Sequence, residues 1–184
     1  HLDILPALAY AIAFYAATQE HAMDTYHLRR PEQAIVDPAE MQAIIGSQKY
    51  MTLALCRENE PYLVTVNYAY DTAERCFYLH CAPCGKKMDY WRANPVVWGQ
   101  VMADDGYCDG ECNHAYRSVH FRGLVEFVED REAKKQALYQ LIERLESDPA
   151  TTQQRLVNDR AVDRVGIVRI RVVEMSGKRN PVPR

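Results

Sequence analysis

From Tyr116 to Val128 (YRSVHFRGLVEFV) apolar and polar side chains alternate with a period of two. That pattern is a strand with one buried face, and Gly123 inside it marks a bulge. Five further runs have strand character: Tyr50–Cys56, Pro61–Tyr70, Arg75–His80, Val96–Ala103 and Val162–Met175. The first three are separated only by the tight turns 58–60 and 71–74, so they form an antiparallel meander. In the last, Ile167, Arg169 and Arg171 alternate with Val168, Ile170 and Val172. Residues 104–113, rich in Asp, Gly and Cys, are expected as a loop.

Helical patterns fall between the strands. Asp37-Pro38-Ala39-Glu40 is a helix start, with Asp as N-cap, Pro at the first position and Glu at the third. Met41, Ile44 and Ile45 form its apolar stripe, and Gly46 ends it. Residues 130–147 are amphipathic, with Ala133, Ala137, Leu138, Leu141, Ile142 and Leu145 sharing a face. Helices and six antiparallel strands predict a mainly β (α+β) fold, a closed six-stranded barrel with flanking helices outside.

The stretch Phe77–Pro95 (FYLHCAPCGKKMDYWRANP) carries the chemistry. A strand runs into a proline-broken loop, then Gly85, Lys86 and Lys87 open a helix that ends at Asn94-Pro95. Unpaired N–H groups at a helix start attract anions, glycine allows close approach, and two lysines add positive charge. A phosphate is the natural guest; a plain turn with solvated lysines is the alternative.

The chain has 184 residues and a formal net charge of -3, enough for one domain with a real core and an argument against a nucleic-acid partner. Residues 1–22 are apolar and alanine-rich, but the apolar run is shorter than the roughly 20 residues that cross a bilayer. Without the basic start of a signal peptide, they are expected to form a helical extension packed on the body or on a partner chain. The boundary is placed at residues 22/23, with Met23 a candidate start, residues 23–184 forming the main domain, and the location cytoplasmic.

Six cysteines (56, 76, 81, 84, 108 and 112) leave several readings open. Cys56 and Cys76 lie in strands and are expected as buried thiols. The spacing of Cys81, Cys84, Cys108 and Cys112, with His114 near, fits either separate thiols or a structural zinc. Free thiols, and hence no metal, are the first choice. His80, His114 and His120 sit in or beside strands, where histidine is more often structural than catalytic. No G-x-S-x-G, H-E-x-x-H or Walker motif is present, so nothing in the spacing specifies a hydrolase.

Four segments, in order, resemble a known family. His80-x-Ala82-x-x-Gly85-x-Lys87 with its helix resembles the H-x-A-x-x-G-x-K segment of flavin-binding split-barrel proteins, nearest to the nitroimidazole-resistance (Nim-like) branch of the pyridoxamine 5′-phosphate oxidase-like superfamily. Leu28-Arg29-Arg30, Cys112-x-His114-x-Tyr116-Arg117-Ser118-Val119 and Ser176-Gly177-Lys178 after the last strand resemble three further segments of that branch. The resemblance covers about residue 26 to the end. It implies a homodimer with FMN at its interface. Gly85, Lys86 and Lys87 would hold the phosphate. Thr65, Asn67 and Tyr68 would lie along the isoalloxazine, with Ser118 nearby, and His80 and Cys81 would close the site. The implied activity is an FMN-dependent oxidoreductase acting on a small aromatic or nitro-aromatic acceptor, with His80 as the best candidate for an acid. Non-catalytic flavin or haem binding on the same fold is the alternative, and a zinc-stabilised module a third.

Overall fold

Tyr68 sets the path of the main sheet. In this computed structural model, which describes residues 30–182, the expected second strand breaks there into β3 (Glu60–Asn67) and β4 (Ala69–Asp71). β3 pairs with β2 (Tyr50–Arg57), whereas β4 pairs with β5 (Cys76–Cys81). The remaining strands are β1 (Ala34–Ile35), β6 (Val96–Cys108), β7 (Asn113–Val128) and β8 (Gly166–Asn180). They join in the order β3-β2-β6-β7-β8-β5-β4, all antiparallel, with β1 added on β8. The outer strands β3 and β4 are thus consecutive in the chain, and a single residue links the two ends of the sheet. The sheet must curl until its edges meet, but no hydrogen-bonded ladder joins them. The expected closed six-stranded barrel is therefore corrected to an open, curled sheet of eight strands whose outer strands are joined by the chain at Tyr68 and not by pairing.

The Tyr68 side chain explains the break. It is fully buried, and its hydroxyl donates to the Ile45 carbonyl at 2.8 Å. The residue turns inward between the strand that pairs with β2 and the strand that pairs with β5. The β2–β3 turn is a two-residue hairpin loop with Glu58 (φ 51°) and Asn59 (φ 64°) both left-handed, which matches the twist of the flanking strands.

The other departures have local causes. β6 runs through the expected loop to Cys108, with its register shift between Asp104 and Gly106, because the Asp104 carboxylate accepts the Gly106 N–H at 2.9 Å and the ladder resumes. Asp104 also meets His114 at 2.7 Å, and Asp105 receives the Arg117 fork at 2.8 and 2.9 Å, so the acidic residues are paired on the neighbouring strand. β8 begins at Gly166, since Val162 belongs to a helix. It continues through Ser176-Gly177-Lys178, which pair with β7 and β1 and do not follow the last strand. The Gly123 bulge is present as a register shift between Arg122 and Gly123. Cys56 is exposed and not buried, because Met51, Leu53 and Leu55 take the inner face of β2; Cys76 is buried.

The helices are α1 (Pro38–Ser47), α2 (Lys86–Ala93), α3 (Arg131–Leu145), α4 (Pro149–Leu156) and α5 (Asp159–Arg164). Helices α1 and α3 cap one another. Arg144 at the end of α3 donates to the Ile45 and Gln48 carbonyls at 3.2 and 2.6 Å, and Lys49 donates to the Leu145 carbonyl at 3.2 Å. Each cation thereby meets carbonyls that a helix end leaves unpaired. The core is aromatic at its centre: Phe121 stacks on Phe77 (centroids 4.4 Å apart), which meets Tyr68 edge-on at 5.3 Å.

The chain divides into units His1–Glu32 and Gln33–Arg184. The expectations for residues 1–22 and for Leu28-Arg29 lie outside the described residues. No helix among the described residues is long and apolar enough to cross a membrane.

Candidate functional site

Five helix starts can be compared within one chain. Asp37, Asp130, Asp148 and Asn158 each accept a backbone N–H of their own helix, at 2.9, 2.8, 3.2 and 3.1 Å. Helix α2 begins at Gly85 with no side-chain cap, so its first N–H groups are left for another acceptor. Gly85 has φ +119°, a conformation that side chains rarely adopt, and an added Cβ would meet nothing within 4 Å. The turn is open, and only glycine holds it without strain. Arg92 pins the preceding loop by donating to the Pro83 carbonyl at 3.1 Å.

The two lysines at this start differ. Lys86 lies over the Tyr62 ring at 4.4 Å and the Tyr90 ring at 5.6 Å, so its cation is held by aromatic faces. Lys87 is half-buried, and its charge is felt at Cys81. Cys81 is buried, with its Sγ 3.5 Å from Met88 Sδ. Burial pushes the Cys81 thiol up, against the opposing pull of Lys87 and Arg92. The thiol therefore stays protonated and puts no negative charge beside the turn. Gly85, Lys86, Lys87 and Cys81 are thus brought together, and the first three form a positively charged opening that suits a phosphate.

The other expected residues are placed elsewhere. His80 and Cys81 cannot both close one site, because successive strand residues point to opposite faces. Cys81 points into the core, whereas His80 is exposed and lines a cavity under α3, α4 and α5. Tyr68 and Ser118 are fully buried, and the Ser118 hydroxyl faces the Lys178 carbonyl at 3.4 Å, so neither side chain offers surface to a ring. Thr65 and Asn67 are exposed on the outward face of β3, where Thr65 meets Thr52 at 3.3 Å and Asn67 donates to the Lys49 carbonyl at 2.9 Å. The Tyr62 ring that carries Lys86 alternates with them on the other face. Beside Thr65 and Asn67 the outward face continues through Tyr50, Leu63 and Met102, which are large, apolar and exposed. The sequence could have separated His80 from Cys81 by strand alternation alone.

The zinc reading fails on connectivity. Cys81 pairs with Gly166 at the start of β8, whereas the β6–β7 hairpin that carries Cys108 and Cys112 lies beside Asn180 at its other end. Fourteen residues of strand separate the two pairs, about 45 Å of path at ~3.3 Å per residue. All six cysteines are free, and no group of three or more His, Cys, Asp or Glu able to hold a metal forms among the described residues.

Tyr68 leaves a measurable signature. Burial pushes its phenol up to about 12 from the usual 10, with Arg144 pulling the other way. A folded-state value above the unfolded one means that stability is intact below pH 10 and is lost as pH rises toward 12. Urea unfolding at pH 8, 10 and 11.5 is expected to show a fall in stability of about 2 kcal/mol by pH 11.5 that the Tyr68→Phe variant lacks. Parallel falls in both proteins would remove Tyr68 as the cause.

Comparison with known proteins fits this architecture. A family model described as pyridoxamine 5′-phosphate oxidase matches residues 37–179. The crystal structure of a candidate 5-nitroimidazole antibiotic resistance protein from Bacteroides thetaiotaomicron VPI-5482 is 28% identical, with a TM-score of 0.68 over 79% of this chain and 85% of that one. Two others share the fold: the flavocytochrome Anf3 from Azotobacter vinelandii (18% identical, TM-score 0.73, 84% of this chain and 72% of that one) and a FAD-binding protein from Mesorhizobium loti (23%, 0.58, 79% and 96%). An uncharacterized protein of Rhizobium meliloti (strain 1021) is 31% identical over 67 residues, which is 36% of this chain and 42% of that relative. The match thus spans less than half the length of the curated relative. With the family model running from the start of α1 through β2 to β7 and almost to the end of β8, the chain belongs to the pyridoxamine 5′-phosphate oxidase family.

Proposed function

We propose that the protein is an FMN-binding flavoprotein that works as a homodimer and reduces a small aromatic or nitro-aromatic acceptor. The observation that carries this reading is the α2 start: an uncapped glycine N-cap followed by two lysines, in a chain whose other four described α-helices are all capped by Asp or Asn. Such a start fits the flavin phosphate, held by the Lys86 and Lys87 region and the free N–H groups. Thr65 and Asn67 would border the ring, giving hydroxyl and amide groups to its polar edge. They lie on the opposite face of β3 from Tyr62 and Lys86, so one flavin would reach both around the outer edge of that strand, and a second copy laid on the outward face of β2, β3 and β6 would bury Tyr50, Leu63 and Met102 and bring a second set of groups to the ring.

When bound, the flavin supplies two-electron transfer between a reduced nicotinamide donor and the acceptor. The protein's part is to bind, orient and exclude water. No side chain of the α2 turn is placed as a general acid, and His80 lies on the other face of β5. The relatives named as a flavocytochrome and as a FAD-binding protein support flavin chemistry for this fold. The test is the visible spectrum of freshly purified protein, followed by turnover with a reduced nicotinamide and a nitro-aromatic compound. A yellow dimer with flavin bands that reduces the acceptor is expected. A colourless protein that FMN fails to restore would overturn the reading, and a yellow protein without turnover would reduce it to flavin binding.

A further inference from the structure

Between the outer face of β5 and helices α3, α4 and α5 lies a cavity of about 300 Å³. Its walls are aliphatic: Leu138, Leu141 and Ile142 come from α3, Leu156 from α4, and Ala161 from α5. Three polar residues line it, His80 from β5, Thr152 from α4 and Glu146 just after α3. No lysine or arginine lines it among the described residues. Thr152 and Ser118 are the two buried polar residues of the described chain; Ser118 faces a carbonyl on β8, whereas Thr152 faces this cavity.

We propose that this cavity binds a small neutral amphiphile, an alkylphenol or a similar alcohol. Its apolar body lies among the leucines, and its hydroxyl meets His80 and Thr152. Small-molecule sites are apolar with a few convergent polar groups and span about 300–1,000 Å³, so this one takes a single ring with a short chain. The head is neutral because an anion would find the Glu146 carboxylate, while the Lys134 ammonium beside the cavity is held on the Val165 carbonyl at 3.4 Å, so burying a charge there carries a desolvation cost. A hydroxyl can both donate and accept, as imidazole and threonine require. The site lies on the opposite face of β5 from Cys81 and the Gly85 turn, so it stands independently of the flavin reading.

Titration of the full-length chain with 4-butylphenol, followed by calorimetry and amide NMR, tests this. One saturable site is expected, with shifts confined to His80 and to α3, α4 and α5. The anionic isostere 4-butylbenzoate is expected to bind at least about tenfold more weakly, and His80→Ala to weaken the phenol roughly tenfold, the scale of one lost hydrogen bond. Ala161→Leu fills the cavity without changing its charge and is expected to abolish binding. Shifts scattered over the surface or on the β2–β3–β6 face would overturn the assignment. So would equal affinity for the benzoate, or undiminished binding by folded Ala161→Leu protein. The wild-type shift map decides the location even where a variant folds poorly.

Discussion

Phe121→Ala is expected to cost about 4–5 kcal/mol, at the upper end for a buried phenylalanine. The reason is what lies beneath the ring. Phe121 pairs across the sheet with Gly99, and a Cβ built on Gly99 would sit 2.1 Å from the Phe121 Cζ. The ring therefore occupies the volume where the partner's side chain would be. On its other side it stacks on Phe77, which itself packs against Tyr68 and Tyr70. Removal of the ring leaves a hole with a bare backbone on one wall and a fixed aromatic group on the other, and neither can collapse into it. Gly99→Val in the parent forces a clash with the same ring, and overpacking typically costs about 1–3 kcal/mol. Together the two changes should destabilise less than their sum, since valine at 99 fills part of the space that alanine at 121 vacates. Urea denaturation of the parent, both single variants and the double variant measures the coupling. For a chain of this length the Phe121→Ala loss corresponds to roughly 8–20 °C in Tm. Strict additivity would mean that Gly99 and Phe121 do not share one site in the core.

How much of this was legible in the sequence depends on the range of the cause. Period-two runs located the strands, the Asp37-Pro38 cap located α1 and the apolar stripe of residues 130–147 located α3, because those signals are local. The same cap and proline pattern at Asp148-Pro149 starts α4, which reading for longer apolar stripes passes over. The break at Tyr68 was not legible. Nothing in VNYAY departs from strand chemistry, and the residue turns inward only because Ile45, 23 positions earlier, offers a carbonyl. The zinc reading failed for a similar reason: cysteine spacing says nothing about which end of β8 each pair reaches. The glycine start followed by two lysines was legible as a motif, but not the division between the surroundings of those lysines. They are adjacent in the chain, and only the position of Tyr62 on β3 draws Lys86 aside.

That division yields the largest functional effect. Lys87→Ala is expected to weaken FMN binding about ten- to hundredfold, the scale of one charge-assisted hydrogen bond to phosphate, about 1.5–3 kcal/mol. Lys86→Ala is expected to cost less, because its cation is already engaged with Tyr62 and Tyr90 and its loss releases those rings before it exposes the phosphate. Riboflavin provides the control, since it has the same ring and no phosphate. If Lys87 acts on the phosphate, Lys87→Ala and the parent should bind riboflavin equally, and the FMN advantage over riboflavin should shrink in the variant. Loss of affinity for both ligands would instead place Lys87 at the ring or in the fold, and a urea midpoint for the variant separates those two. Salt adds an independent axis. Attraction between Lys87 and a phosphate dianion is screened at high ionic strength, so the parent's FMN affinity should fall with salt more steeply than the variant's. Fluorescence titrations with both flavins at low and high salt carry the whole comparison. Unchanged FMN affinity in Lys87→Ala would remove the phosphate from this turn.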